Sequence, residues 1–192
     1  VNALAHEVKT EWMMVTDDDS MFPPGWEKIF ENIDKHEVVC MNSMESGRIG
    51  AAPPFIVKDC GQTIETFNES EFEVQAREQG RIPDDQVKLE KGFSYPFLLK
   101  KELWMKLGGY DEKYDPWGSN CDSDFFYKLT LAGVTPMRDR RVLNYHFSQQ
   151  SGTFDPAQQS YWQRNRSYFE SKWGFRRADS PDIWYSVKIP YE

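Results

Sequence analysis

A short apolar run that ends in three consecutive carboxylates constrains this chain more than any other feature. Residues 12–15 (WMMV) have the length and composition of a buried strand, and Thr16 leads from them into Asp17, Asp18 and Asp19. Adjacent carboxylates repel one another, and burying them without partners costs several kcal/mol. A divalent cation would remove this cost, because carboxylate oxygens are ligands that Mg²⁺ and Mn²⁺ prefer. The segment therefore predicts a metal site at the end of a strand.

The spacing of the three aspartates indicates which of them can share a ligand. Asp17 and Asp19 would lie on one side of an extended chain, with Asp18 pointing away. A structural role is the alternative: the acidic turn would cap a helix that begins within residues 23–26 (PPGW), since Asp and Ser are common helix caps and Pro is favoured in the first turn. This segment alone leaves both interpretations open.

Charge and cysteine content narrow the classes of function. The 192 residues include 23 lysines and arginines against 31 aspartates and glutamates, for a net charge of -8. A general nucleic-acid binder needs a net basic face, so we expect no nucleic-acid partner. Cys40, Cys60 and Cys121 show no CxxC spacing, which favours reduced thiols and a cytoplasmic location. No apolar run approaches the roughly 18 residues that span a bilayer, so we expect no transmembrane segment.

Alternating strands and helices predict an α/β fold in a single domain that spans 1–192. A short helix over 1–10 leads into the first strand, and an amphipathic helix over 24–35 precedes a second buried strand over 37–41. Strand, helix, strand is the unit of a parallel sheet. Further helices are predicted over 68–79, 101–107, 120–133 and 155–173, further strands over 92–100 and 142–147, loops over 42–54 and 81–91, and a hairpin over 55–67.

Two acidic residues and one histidine extend the candidate chemistry. Asp122 and Asp124 begin a predicted helix, where the helix dipole and free backbone N–H groups favour ionised carboxylates. An ionised aspartate can act as a general base, and a plain helix cap is the alternative. His146 lies near the end of the last predicted strand, where it could join the aspartates as a third metal ligand or pack as a structural residue. The small, polar residues 148–153 (SQQSGT) that follow are typical of a loop that closes over a site.

In their order along the chain, these motifs resemble the glycosyltransferase family 2 domain with the GT-A fold. The resemblance covers residues 2–174. It is carried by the acidic triplet after a strand, GGYDE at 108–112, the D-x-D of a helix start with Ala-Gly at the helix end, Tyr-His at 145–146 and Lys-Trp-Gly at 172–174. It implies a GT-A-like (Rossmann-like) mixed, mostly parallel sheet flanked by helices, with a C-terminal helix and tail over 155–192.

The resemblance also implies a role for each acidic residue and for the histidine. Asp17 would lie near the ribose of the nucleotide, with Asp18 beside it in the cofactor-binding segment. Asp19 would bind Mn²⁺ or Mg²⁺ bridging the donor diphosphate, and His146 would complete the metal shell. Asp122 would accept the proton of an acceptor hydroxyl as that hydroxyl attacks the anomeric carbon with inversion.

Three further residues are implied to contact substrate. Trp117 and Tyr110 would line the sugar or acceptor pocket, and Asp124 would join them. The implied function is transfer of a sugar from a nucleotide-sugar donor to a hydroxyl on a glycan, a lipid-linked or another acceptor. Such a reaction would take place in the cytoplasm or at a membrane surface.

Two departures from the family pattern keep a second function open. The family motif reads Glu-Asp-x-Asp at the helix start, whereas Cys121 stands in the Glu place here. The family fold also begins with strand, helix, strand and helix before the acidic triplet, whereas sixteen residues precede Asp17. We therefore expect a piece of a longer chain with an incomplete donor pocket. The alternative function is a catalytically silent glycosyltransferase-like module that binds a carbohydrate or a protein.

Overall fold

A seven-stranded sheet organises the part of the chain that the computed structural model describes, residues 1–47, 55–83, 89–114, 118–147 and 156–176. The strands are β1 (Trp12–Val15), β2 (Ser20–Met21), β3 (Val38–Glu45), β4 (Ile56–Val57), β5 (Glu90–Lys91), β6 (Phe97–Lys100) and β7 (Met137–His146). The α-helices are α1 (Asn2–Glu7), α2 (Glu69–Gly80), α3 (Lys101–Lys106), α4 (Cys121–Leu131) and α5 (Gln159–Trp173). Short 3₁₀ helices lie at Trp26–Asn32, Ile64–Thr66, Glu112–Tyr114 and Pro156–Gln158.

The sheet is mixed and mostly antiparallel, so the predicted mostly parallel sheet was wrong. The strand order is β1-β6-β3-β7-β2, with β4 beside β3 and β5 beside β7. Only the β3–β7 and β3–β4 pairings are parallel among the described strands. β6 lies between β1 and β3 and runs antiparallel to both. β1 and β3 do run in the same direction, as predicted. However, β6, which comes later in the chain, lies between them. The local periodicity of β1 and β3 carries no information about this neighbour.

The central strand β3 is buried on both faces, which explains its continuous apolar start. Val38 and Cys40 enter the cluster formed with α3, α4 and α5, whereas Val39 and Met41 pack on the opposite face against the 3₁₀ helix Trp26–Asn32. Alternate side chains of a strand point to opposite faces, so both sets need apolar residues. The α/β class, with helices on the sheet, is therefore confirmed.

Most predicted helices are confirmed, and two other segments differ from their predictions. All five α-helices match predicted helices to within a few residues, whereas the segment predicted as helix 24–35 forms a 3₁₀ helix. The predicted hairpin over 55–67 was wrong, because β4 pairs in parallel with β3 and Thr63 caps a 3₁₀ helix instead of entering a strand. Among the described residues, no helix combines the length and the apolar character that crossing a bilayer requires.

Three strands present their carboxyl ends to the same edge of the sheet. β1, β3 and β7 run in one direction and end at Val15, Glu45 and His146. β1 and β2 lie at opposite ends of the strand order, so residues 16–19 must cross this edge to connect them. Ser20 then pairs with His146, and the carbonyl oxygen of Asp19 accepts a hydrogen bond of 3.0 Å from the backbone N–H of Phe147. The crossing carries the acidic triplet over the strand ends.

A bulge in β7 sets the register at that edge. The pairing with β3 shifts between Met41 and Asn42, so that Asp139 and Leu143 stand opposite consecutive residues. Asp139 is fully buried and accepts hydrogen bonds of 2.9 Å from the backbone N–H of Arg141 and 2.7 Å from its guanidinium. These bonds satisfy buried polar groups that the interrupted ladder would leave without partners. Beyond the bulge, Glu45 is paired with His146.

Two glycines end α3 and direct the chain to Tyr110. Gly108 and Gly109 have φ of 74° and 57°, in the left-handed region, and their N–H groups donate to the carbonyl oxygens of Met105 and Trp104 at 3.1 and 3.0 Å. A Cβ on Gly108 would meet nothing within 4 Å, whereas a Cβ on Gly109 would overlap with Asn2 Oδ1 and lie 2.7 Å from Trp104 Nε1. The two positions therefore share the backbone strain but differ in packing.

We expect Gly109→Ala to destabilise the protein more than Gly108→Ala. Left-handed strain alone should cost Gly108→Ala about 1–2 kcal/mol, and overlap with Trp104 should add about 1–3 kcal/mol at Gly109. Urea unfolding of the two variants measures the difference directly. Equal losses in both variants would contradict the packing of Gly109 described here.

Candidate metal centre

Asp17, Asp19 and His146 converge at the edge where the strands end. Each side chain offers one ligand atom, and these atoms all lie within 4.8 Å of one another. His146 Nε2 is 3.3 Å from Asp19 Oδ1. The structure thus brings together three of the residues that the sequence singled out.

The acidic triplet reaches this position through a turn. The chain leaves β1 at Val15 and turns at Asp18 and Asp19 before β2 begins, so it does not stay extended as the spacing argument assumed. Asp17 and Asp19 are nevertheless half-buried in the cluster, and Asp18 is exposed. The expected division between Asp18 and its two neighbours is therefore found, although a turn produces it.

Glu45 is a fourth polar residue at the centre, and the sequence reasoning missed it. Its Oε2 lies 2.9 Å from His146 Nδ1, and its Oε1 accepts a hydrogen bond of 2.9 Å from Ser43 Oγ. We predicted that the second strand ended at Met41, because polar residues follow, whereas β3 continues to Glu45. A carboxylate at the end of a strand is the signal that could have identified Glu45. It is visible only when β3 is known to end at Glu45.

Burial and mutual attraction set the charges of the cluster. Burial raises the pKa of Asp17 to about 7, and the nearby charges include His146, which opposes the rise, and Asp19 and Asp122, which add to it. Burial, the largest single effect, disfavours ionised Asp19, but hydrogen bonding to His146, the charge of His146 and a backbone hydrogen bond together outweigh it and lower the pKa of Asp19. Burial also disfavours a charged His146 ring, yet hydrogen bonds to Asp19 and Glu45 raise its pKa to about 10. At neutral pH an imidazolium therefore lies among carboxylates.

The donor set fits a divalent cation. The charged groups that act on Asp17 include three carboxylates, those of Asp18, Asp19 and Asp122, and one cation, His146. This surplus of negative charge favours a positively charged ligand. Two carboxylates and one imidazole also leave coordination positions for substrate oxygens, as is common for Mg²⁺ and Mn²⁺. The imidazole nitrogen favours a transition ion over Mg²⁺, and the two carboxylates suit Mn²⁺.

Asp122 lies within electrostatic range of this centre, at the start of α4. Its charge raises the pKa of Asp17, and its Oδ1 accepts hydrogen bonds of 2.6 and 3.1 Å from the N–H and hydroxyl of Ser123. The residue in the N-cap position is Asn120, with φ of 69°. Asp122 is therefore not the N-cap residue, but it accepts a hydrogen bond from a backbone N–H of the first helical turn, as the structural alternative expects. The neighbouring Cys121 is half-exposed, and burial together with Asp122 raises the pKa of its thiol, which stays neutral.

Asp124 is fully buried, which disagrees with the predicted substrate contact. Its Oδ1 lies 2.7 Å from Lys172 Nζ and accepts hydrogen bonds of 2.8 Å from Trp173 Nε1 and 3.2 Å from the Tyr114 hydroxyl. These contacts join α5 to the first turn of α4. The sequence pattern of an aspartate at a helix start is the same whether the side chain faces a site or the protein interior. The sequence therefore could not distinguish a substrate contact from a buried structural role for Asp124.

Tyr110 packs against the hydrophobic core and lies within electrostatic range of Asp122 and Asp17. Its ring packs against Trp104 with ring centroids 4.9 Å apart, and its hydroxyl is hydrogen-bonded to that of Tyr95. Asp122 and Asp17 both act electrostatically on this hydroxyl pair, which burial keeps protonated by raising both pKa values. Sequence reasoning missed Tyr95. Trp117 and the closing loop predicted over 148–153 lie outside the described residues.

The chain matches no protein-family model and no curated protein. The glycosyltransferase resemblance therefore rests on the motifs in the sequence alone.

We expect cation binding at this centre to release protons. His146 has a pKa above the ordinary histidine value, so at neutral pH its ring proton competes with a cation for Nε2. Raising the pH lowers the protonated fraction of the ring, so Mn²⁺ affinity should increase with pH from about 6 toward the His146 pKa of about 10. Calorimetric titration with Mn²⁺ in buffers of different ionisation enthalpy counts the protons released, and we expect at least about one per ion.

His146→Gln is the matched variant for this measurement. It keeps a polar side chain of similar size and removes the titrating ring, so it should bind Mn²⁺ more weakly and release about one proton fewer. Proton release that is absent in the natural protein, or unchanged in His146→Gln, would exclude His146 as a ligand.

Proposed function

We propose that the protein is a metal-dependent glycosyltransferase that moves a sugar from a nucleotide-sugar donor to a hydroxyl acceptor. One observation carries the proposal: Asp17, Asp19 and His146, from distant parts of the chain, converge at the carboxyl edge of the sheet, and Asp122 lies in electrostatic range. The order of the motifs supports the same assignment. We include in the proposal the GT-A arrangement and membership of glycosyltransferase family 2.

The donor would bind at the acidic centre. Asp19 and His146 would hold Mn²⁺ or Mg²⁺. Asp17 would face the ribose, and Asp18, which is exposed, would lie beside it on the solvent side of the nucleotide-binding segment. When bound, the cation offsets negative charge on the departing nucleoside diphosphate. Asp19 suits this role because its pKa is lowered, so that its carboxylate is ionised at neutral pH.

Asp122 would serve as the general base. It accepts the proton of the acceptor hydroxyl as the oxygen forms its bond to the anomeric carbon and the bond to the diphosphate breaks. Attack from the side opposite the leaving group inverts the anomeric configuration. Ser123 supports this role, because its N–H and hydroxyl both bond to Oδ1 and so fix the carboxylate at the start of α4.

The acceptor proposed is a hydroxyl on a glycan, a lipid-linked or another molecule. The charges of Asp122 and Asp17 act on the Tyr110 hydroxyl, which supports a place for Tyr110 beside the sugar pocket. A net charge of -8 supports the absence of nucleic acid among the partners. The cytoplasm, including the surface of a membrane, is the proposed site of action.

A second function, a catalytically silent module that binds carbohydrate or protein, is favoured by Cys121. A neutral thiol stands where the family has a glutamate, so Asp122 lacks the second acidic group of the motif. The two functions differ in one outcome. An enzyme releases nucleoside diphosphate from the donor, whereas the module binds the sugar without turnover.

We expect release of nucleoside diphosphate from one member of a panel of nucleotide sugars in the presence of Mn²⁺. Asp19→Ala should reduce the rate to background, because the cation loses a ligand. Asp122→Asn keeps the shape and removes the base, so the rate should fall by about 10² to 10⁴-fold. Asp34→Asn alters an exposed carboxylate outside the cluster and serves as the matched control, with an unchanged rate expected.

Two results would contradict the proposed glycosyltransferase activity. Turnover that is unaffected by Asp19→Ala would place the chemistry elsewhere in the molecule. Saturable carbohydrate binding with no release from any donor would support the silent module.

A further inference from the structure

His146 makes contacts of unequal length on its two ring nitrogens. Nδ1 lies 2.9 Å from Glu45 Oε2, a normal hydrogen-bond distance, whereas Nε2 lies 3.3 Å from Asp19 Oδ1, beyond the usual range. The Glu45 contact is therefore the better hydrogen bond. The Nε2 contact is the one that faces Asp17 and Asp19, where ligand atoms cluster.

Glu45 is itself held in place. Its Oε1 accepts a hydrogen bond of 2.9 Å from Ser43 Oγ, and its backbone is paired with that of His146 in the parallel β3–β7 ladder. The side chain is 13% exposed. A carboxylate fixed by both its strand and a neighbouring hydroxyl can define the orientation of the ring that it contacts.

We infer that Glu45 is a positioning residue for the cation: its carboxylate accepts the Nδ1–H of His146 and so presents Nε2 toward Asp17 and Asp19. Metal-binding histidines generally donate their second N–H to such an acceptor, which fixes the tautomer and the ring plane. This inference rests on the proposed metal centre and adds to it a residue from a third strand. Ser43, Glu45 and His146 would form one chain of hydrogen bonds that ends at the cation.

Two substitutions separate the hydrogen bond from the charge. Glu45→Gln keeps the length of the side chain and an oxygen acceptor but removes the negative charge. Glu45→Met keeps similar length and removes both. A positioning role predicts that Mn²⁺ affinity, measured by titration followed by electron paramagnetic resonance, falls about 10 to 100-fold in Glu45→Met and distinctly less in Glu45→Gln.

The ring proton gives a readout that needs neither cation nor activity. The chain has three histidines, so ¹⁵N-histidine labelling yields a simple spectrum, and His146→Gln assigns the signal of interest. We expect a one-bond correlation for His146 Nδ1–H, protected from water by Glu45, in the natural protein and in Glu45→Gln. It should be lost to rapid exchange in Glu45→Met. Far-ultraviolet circular dichroism confirms that each variant is folded.

The results test the positioning role of Glu45 separately from the metal centre. Unchanged Mn²⁺ affinity in Glu45→Met, equal losses in both variants, or no protected Nδ1–H in the natural protein would overturn the positioning role while leaving the metal centre in place. A natural protein that binds no Mn²⁺ would overturn the centre itself, and the ring-proton spectrum would then report a structural hydrogen bond only.

Discussion

The candidate site depends on the contacts of the His146 ring with two carboxylates, those of Asp19 and Glu45. The ring lies between a carboxylate from the β1–β2 crossing and a carboxylate from the end of β3, at 3.3 and 2.9 Å. Without a positive group, the half-buried carboxylates would repel one another at an edge with limited access to water. The ring balances this charge in the free protein. A bound cation would take over that role and leave the ring as a neutral ligand.

The fold supplies this arrangement through pairings that are distant in sequence. β7 must pass its bulge before His146 stands opposite Glu45, and the buried Asp139–Arg141 pair stabilises that bulge. β2 is only two residues long, yet its pairing with β7 fixes Asp19 beside His146. At the start of α4, the buried Asp124 and its bonds to α5 fix the first helical turn, and with it Asp122. Short elements therefore determine the geometry of the centre.

The sequence predicted which residues meet at the candidate site better than it predicted the sheet that holds them, for a physical reason. Asp17, Asp19 and His146 were found because each follows or ends an apolar strand, and strand ends are visible in local composition. The neighbours of the strands and the antiparallel direction of most pairs were not predicted, because β6 enters between β1 and β3 from a later part of the chain. Glu45 was missed because β3 continues through polar residues, which in the sequence resemble the end of a strand. Asp124 was misassigned because a helix-start signal does not report burial.

The most direct test of the account is the location of Mn²⁺ in crystals of the protein, from anomalous scattering at the manganese edge. The account predicts one strong peak in direct contact with Asp19 and with Nε2 of His146, and with Nδ1 still bonded to Glu45. A peak elsewhere, or a His146 ring that keeps its contact with Asp19 at saturating Mn²⁺, would contradict it.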